Sequence, residues 1–338
     1  MPVALLVRTP EKMTGLMKPL TPGPTYGSQT YRLKQAIVQV AWKQYSPAQL
    51  LNAQGKQIII FFCGWGKSER AQSVQELAQT FADTAGAPTY VLTTKAKHAP
   101  KHQSLHAEAE AVKLWVEDRS CEEIIVTGHS EGGKKAVEVA ARFGCLSTSK
   151  SLKGIVLLNA VGWYDQRAAK IAWNFFWDSL VLTPLTLLQQ KRPRLLFRRY
   201  FRASGDITRG AVRKTPLQIG HDLHEMATAS PVLDKVRAPV VLVQGVHDPV
   251  SSPRKTGDMR QMFPNSPWVK RVIAAKLGVH GLPLYRSRAV ARCSLYLLAR
   301  YDRQESDRLP LKEGRQQTPT RKEQVSIMSE VADTRSRL

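Results

Sequence analysis

With 338 residues the chain is long enough to bury a large core. Fifty Lys and Arg against 27 Asp and Glu give a formal charge of +23 and a pI near 10.1. Such a balance favours phosphate-bearing partners, whether nucleic acid, anionic lipid or a small phosphorylated ligand, without choosing among them. The four cysteines, Cys63, Cys121, Cys145 and Cys293, lack any C-x-x-C pairing, which argues against a disulfide framework and for reduced thiols in the cytoplasm.

Met1 to Leu6 is apolar but too short for a secretory h-region, and Arg8, Glu11 and Lys12 follow at once, so no signal peptide is expected. Residues 1–30, with Pro2, Pro10, Pro19, Pro22 and Pro24, read as an extended, loosely packed arm. Tyr31 to Tyr45 holds Ile37, Val38, Val40 and Trp42 in a strand-like run that Ser46-Pro47 ends. Gln57 to Cys63 is nearly all apolar and β-prone, as a strand covered on both faces must be, and Gly64-Trp65-Gly66 breaks it. Ser68 to Ala85 sets Val74, Leu77, Ala78 and Phe81 on one helical face, with Ser68 as an N-cap and Gly86 as a stop. Thr89 to Thr94 predicts a strand, Gln103 to Val116 a helix and Ile124 to Gly128 a further strand. The alternation implies a parallel, doubly wound α/β sheet.

The next stretch carries chemistry. Gly128-His129-Ser130-Glu131-Gly132-Gly133 joins that strand to a helix that begins with Lys134 and Lys135. The spacing G-x-S-x-G suits a sharp strand-to-helix turn, in which Gly128 and Gly132 let backbones approach and Ser130 stands exposed above the sheet. The positive end of the helix dipole then points at the site, and the N–H of Glu131 is free to hold an oxyanion. Gly154 to Ala160 predicts another buried strand, Pro239 to Gln244 the next, Val269 to Ala275 the last, and Arg286 to Arg300 a closing helix.

The gap before Pro239 is too long for one crossover helix, so residues from about 163 to 230 form a helical insertion. It divides by composition. Ile171 to Leu188 is aromatic and aliphatic, and Lys191 to Lys214 is crowded with Arg, with Asp206 as its only acid. Asn174, Asp178 and Pro184 argue against a membrane span in the first half and for a lid over an apolar pocket. The second half offers Arg194, Arg198, Arg199 and Arg202 as an amphipathic surface, as a clamp for phosphate, or simply as a solvated face. Residues 301–338 turn polar and read as a disordered tail, with a weak helix near Glu323 to Ala332.

Past the last two strands lie Asp248, in Gly245-Val246-His247-Asp248-Pro249, and His280, in Gly278-Val279-His280-Gly281. Ser, Asp and His in that chain order resemble the lidded α/β-hydrolases of the esterase, lipase and thioesterase kind over about residues 31–300. The resemblance implies Ser130 as nucleophile, His280 as general base and later acid, and Asp248 as the group that orients the imidazole. It also implies Trp65 as the first oxyanion donor beside Glu131, although Cys63 stands where the family usually has His. His247 and Asp165 are the competing base and acid. His98, His102 and His106, and likewise His221 and His224, lack a second motif to complete a metal shell. The expected activity is therefore hydrolysis of an ester or thioester of a small or lipid-like substrate with an apolar acyl chain, with no cofactor or metal. The site is expected in the cytoplasm, with peripheral membrane contact and nucleic-acid binding left open. The alternative is a hydrolase fold with an idle triad, whose basic surface binds nucleic acid, membrane or a protein.

Overall fold

The structure is a computed structural model that describes residues 24–308, apart from 34–35, 49–55, 66, 68–70, 99–103, 145–148, 191–192, 231, 256–257 and 275–278. Met1 to Leu6, Gly66, Ser68, His102, Cys145, Lys191, Arg192, Gly278 and the helix expected near Glu323 to Ala332 lie outside the described residues.

Eight strands form one sheet in the order β1-β2-β4-β3-β5-β6-β7-β8. They are β1 (Thr25–Leu33), β2 (Ala36–Tyr45), β3 (Gln57–Phe62), β4 (Thr89–Lys97), β5 (Glu123–His129), β6 (Ser151–Leu158), β7 (Val240–Gly245) and β8 (Val269–Ala274). From β4 to β8 every pairing is parallel, as helical crossovers between β-branched strands require. Two pairings, β1 with β2 and β2 with β4, are antiparallel. Here the fold departs from the sequence expectation: Thr25–Leu33 is a sheet strand rather than the end of a loose arm, and Tyr31 to Tyr45 spans two strands. The reason is burial. Only Tyr31 of β1 is buried, so an edge strand with both faces largely wet lacks the apolar alternation that marks a strand.

The helices that cover the sheet are α1 (Gln72–Ala85), α2 (Ser104–Glu117), α3 (Glu131–Phe143) and α10 (Ser287–Arg308), with short turns α8 (Met259–Met262) and α9 (Leu282–Tyr285). One apolar cluster joins the sheet to α2 and α3 through Val112, Trp115, Val137 and Phe143, and the other joins it to α1 and α10 through Leu77, Phe81, Val290 and Leu298. Two further boundaries differ. The first helix starts at Gln72 with Ala71 as N-cap, and its free amide is met from outside: Asp206 Oδ2 accepts from Ser73 N at 3.2 Å and from Ser73 Oγ at 2.8 Å. The closing helix runs to Arg308, eight residues beyond Arg300, so residues 301–308 are helical rather than part of a disordered tail.

Between β6 and β7 the chain forms α4 (Ala168–Trp177), a π-helical turn (Asp178–Leu182), α5 (Thr183–Leu188), α6 (Pro193–Val212) and α7 (Pro216–Ala227). Thr215 caps α7 in a reciprocal pair with Gln218. A small apolar cluster, with Val161, Ile171, Met226 and Val250 at its centre and Trp65 and Phe175 against it, joins this insertion to the carboxyl ends of the strands.

Candidate active site

The turn after β5 forces Ser130 to φ 55° and ψ −123°, a conformation that costs an L-residue about 1–3 kcal/mol and persists only where its surroundings impose it. Those surroundings are backbone. Ser130 N donates to Leu158 O at 3.0 Å, and Ser130 O accepts from Gly133 N at 3.0 Å and Val161 N at 3.2 Å. A Cβ on Gly128 would lie 2.3 Å from Gly132 O, and one on Gly132 would lie 2.2 Å from Phe62 O. The Ser130 hydroxyl makes no cap bond to α3 and is turned elsewhere: its Oγ lies 2.8 Å from His280 Nε2.

The other ring nitrogen, Nδ1, lies 2.9 Å from Asp248 Oδ2. Asp248 is fixed in turn, with Oδ1 accepting from Val250 N (2.8 Å) and Ser251 N (2.9 Å) and Oδ2 from Ser251 Oγ (2.9 Å). A carboxylate so held selects the neutral imidazole that donates from Nδ1 and accepts at Nε2. All three side chains are buried, so Ser130 does not stand exposed as the turn alone implies: His280 and the residues around it cover it. Burial of the ring opposes its protonation, but the charge and hydrogen bond of Asp248, with Asp178 adding, outweigh it and raise the pKa of His280.

Several positioning groups had no signal strong enough to find in the sequence. Asn159, at φ 45° after β6, donates through Nδ2 to His280 O (2.7 Å) and Val279 O (2.9 Å) and accepts from Gly245 N (2.9 Å), so it ties the histidine loop to the end of β7. Asp178, in the π-turn, accepts from His280 N at 3.2 Å and from Thr183 Oγ1 at 3.2 Å. Burial first, and the charge of Asp248 second, push its carboxyl up to about 6. An acid inside an apolar run was the available clue. The ring of Phe175 meets His280 edge-on at 5.1 Å. Beneath lies His129, whose charging is disfavoured by burial and then by Lys67, so its pKa falls well below the usual value.

Gly64 passes so close to Ser130 that a Cβ would lie 2.9 Å from Ser130 Cβ, which sets the backbone of Trp65 beside the site. Cys63 Sγ donates to Lys67 O at 3.2 Å and Lys67 N to Gly64 O at 3.2 Å, so a tight turn holds this loop. The ammonium of Lys67 is brought down to about 8 by burial, against the pull of Asp206 and Cys63. Trp65 Nε1 donates to Asp222 Oδ2 at 2.7 Å, and Lys214 reaches the same oxygen at 2.5 Å, which links the loop to α7. Glu131 opens α3 on the other side of Ser130; burial raises its carboxyl despite Lys135 and Lys214.

The remaining candidates lie apart. His247 is exposed, and Asp165 is exposed and accepts from Ala229 N at 2.8 Å. Arg199 donates to Tyr285 O at 2.8 Å, and Arg202 pairs with Glu76. With Arg198 they line a polar cleft of about 630 Å³ between α1 and α6, which Gln72, Gln75 and Gln79 also border. Arg194 is exposed. His98 is exposed, and His106 contacts Arg142. Among the described residues no three His, Cys, Asp or Glu side chains gather as a metal cage.

Residues 48–283 match the family described as serine aminopeptidase, S33. Among solved structures the chain is similar to a membrane phospholipase A described as a bacterial virulence factor (16% identity, 82% of this chain and 87% of that one, TM-score 0.53). It is similar to a bromoperoxidase from Bacillus anthracis (14%, 81% and 100%, 0.53) and to a lipase-esterase related protein from Clostridium acetobutylicum (15%, 76% and 98%, 0.53). At these identities the likeness is one of fold. Comparison with curated protein sequences finds no match.

Proposed function

The chain belongs to the serine aminopeptidase S33 family of α/β-hydrolases, and from that premise we propose that it hydrolyses a carboxylic ester or thioester with an apolar acyl group through Ser130, His280 and Asp248. The observation that carries this reading is the hydrogen-bonded chain from Ser130 Oγ through His280 to Asp248, at 2.8 and 2.9 Å, on a strained turn. The neutral ring takes the hydroxyl proton at Nε2 as Oγ attacks the acyl carbon. The N–H groups of Trp65 and Glu131 stabilise the tetrahedral oxyanion. Collapse expels the alcohol or thiol, which leaves with the proton from His280, and a water deprotonated by the same ring frees the acid. Phe175 and Trp65, 6.4 Å apart between ring centres, give the acyl side of the site its apolar character.

The test is a panel of p-nitrophenyl esters of rising chain length beside acyl-CoA and proline p-nitroanilide, with fluorophosphonate labelling of wild type and Ser130→Ala. Labelling and turnover that rise with chain length and vanish in the variant support the reading. The family description favours a second one, release of an N-terminal amino acid, and turnover of the anilide without the esters would establish it. No labelling at Ser130 would leave the fold as a binding protein.

A further inference from the structure

Ala168–Leu188 is long and apolar enough to cross a membrane by length and composition, yet its geometry excludes a span. Ile171, Asp178, Thr183 and Leu187 are buried against the protein, and Asp178 bonds both Thr183 and the backbone of His280. The segment cannot leave the body without undoing the site. Its opposite face is bare: Trp173 is 60% exposed, Phe176 52%, Trp177 42%, Leu180 58%, Leu185 53% and Leu188 62%. The three aromatics form one platform, with Trp173 stacked on Phe176 at 5.6 Å and on Trp177 at 6.4 Å. The π-turn keeps the two faces in line. Buried positions run 171, 178, 183 and 187, with Phe175 half-buried between the first two, and the five-residue step from 178 to 183 fits a π-turn; in a continuous α-helix the outer stripe would slip by about 100° there.

Of fourteen exposed large apolar side chains among the described residues, ten belong to the insertion, so the patch is local rather than scattered. The same 163–230 stretch holds eleven Lys and Arg against five Asp and Glu. Arg167 and Lys170 at the start of α4, and Arg194 and Arg198 on α6, are exposed. A helix with Trp, Phe and Leu on one face and cations beside it suits the boundary between lipid headgroups and acyl chains.

We propose that the outer face of α4 and α5 docks the protein on an anionic lipid surface, lying in the plane of that surface with Arg167, Lys170, Arg194 and Arg198 meeting lipid phosphates. Arg199 and Arg202, engaged by Tyr285 and Glu76, take no part. The inference stands independently of the hydrolase reading, because it concerns binding alone.

The experiment is sedimentation of the full chain with vesicles of phosphatidylcholine and phosphatidylglycerol, and with phosphatidylcholine alone. Wild type and Ser130→Ala should partition equally onto the anionic vesicles. Trp173→Gln/Phe176→Gln/Leu180→Gln should partition at least about a hundredfold less, and Arg194→Gln/Arg198→Gln roughly tenfold less, the latter difference shrinking with salt. Unchanged melting temperatures would show that both variants fold. Failure of wild type to partition, or partition of the triple variant at the wild-type level, overturns the proposal. So does a wild-type dimer that the triple variant dissociates, with no vesicle binding by either, since a second copy would then cover the face.

Discussion

In the proposed mechanism the reaction depends on a neutral His280, and its carboxylate neighbours set the pH at which that form prevails. Burial disfavours the imidazolium, but Asp248 outweighs it and Asp178 adds to the rise, so the ring stays protonated to higher pH than an ordinary histidine. Activity should therefore rise with pH through a value above the usual 6.5. In Asp178→Asn the amide oxygen can still accept from His280 N while the charge is gone, so the acid limb of kcat/KM should move to lower pH; a purely structural role would leave that limb in place. The same variant bears on stability. The Asp178 carboxyl sits at about 6 in the fold against a reference value of 3.8. Keeping it ionised thus costs folding energy, in full above about pH 6, and the cost is relieved progressively as pH falls from there to the reference value of 3.8. Asp178→Asn should raise the melting temperature by a few degrees at about pH 8, by roughly half as much at about pH 5, and by little only below the reference value of 3.8. Asp248→Asn should lower turnover roughly ten-thousandfold, by favouring the wrong tautomer, while His247→Ala, at an exposed position, should change it little. That Ser130, Asp248 and His280 come together could be expected from the sequence because their residue types suit the chemistry and their chain order resembles that of the α/β-hydrolases. Asp178 and Asn159 could not, because each acts through a backbone group of a residue more than a hundred positions away.

At the scale of elements, the turn between β5 and α3 is held by contacts that leave no room for a side chain. A Cβ on Gly132 would press on Phe62 O at 2.2 Å and Cys63 O at 2.6 Å, both main-chain atoms. Relief would require β3 and α3 to part, so Gly132→Ala should destabilise by about 1–3 kcal/mol or more and abolish activity. A Cβ on Gly205, inside α6, would meet nothing within 4 Å, and Gly205→Ala should stabilise by about 0.5–1 kcal/mol. Urea titrations of the two variants check both signs. The motif spacing announced the first of these glycines, and burial of the central strands made their positions plain. Where burial is one-sided or absent the sequence said less: β1 lacked an apolar pattern, and the start of α1 depended on Asp206, a residue over a hundred positions later. The π-turn was hidden because an apolar run shows no period until one knows which of its residues are buried.

Across the whole molecule, the parallel part of the sheet followed from strands that alternate with helices, while the antiparallel pairings of β1 and β2 follow from connections that carry no such marker. Net charge was legible at once, and it makes opposed demands. A chain with a net charge of +23 repels itself, although local pairs such as Arg142 with Glu138 at 2.8 Å and Lys135 with Glu108 at 2.9 Å offset part of it. Screening shortens the reach of that repulsion from about 30 Å at 0.01 M salt to about 8 Å at 0.15 M. The close pairs are partly buried and hardly feel this change. The melting temperature should therefore rise with sodium chloride over that range, while attachment to anionic vesicles weakens, so that one salt series moves the two quantities in opposite directions. Chloride is the anion to use, because sulfate would also strengthen apolar burial. A melting temperature that falls with salt would mean that short-range pairs, rather than the surplus of cations, dominate the electrostatics of the fold.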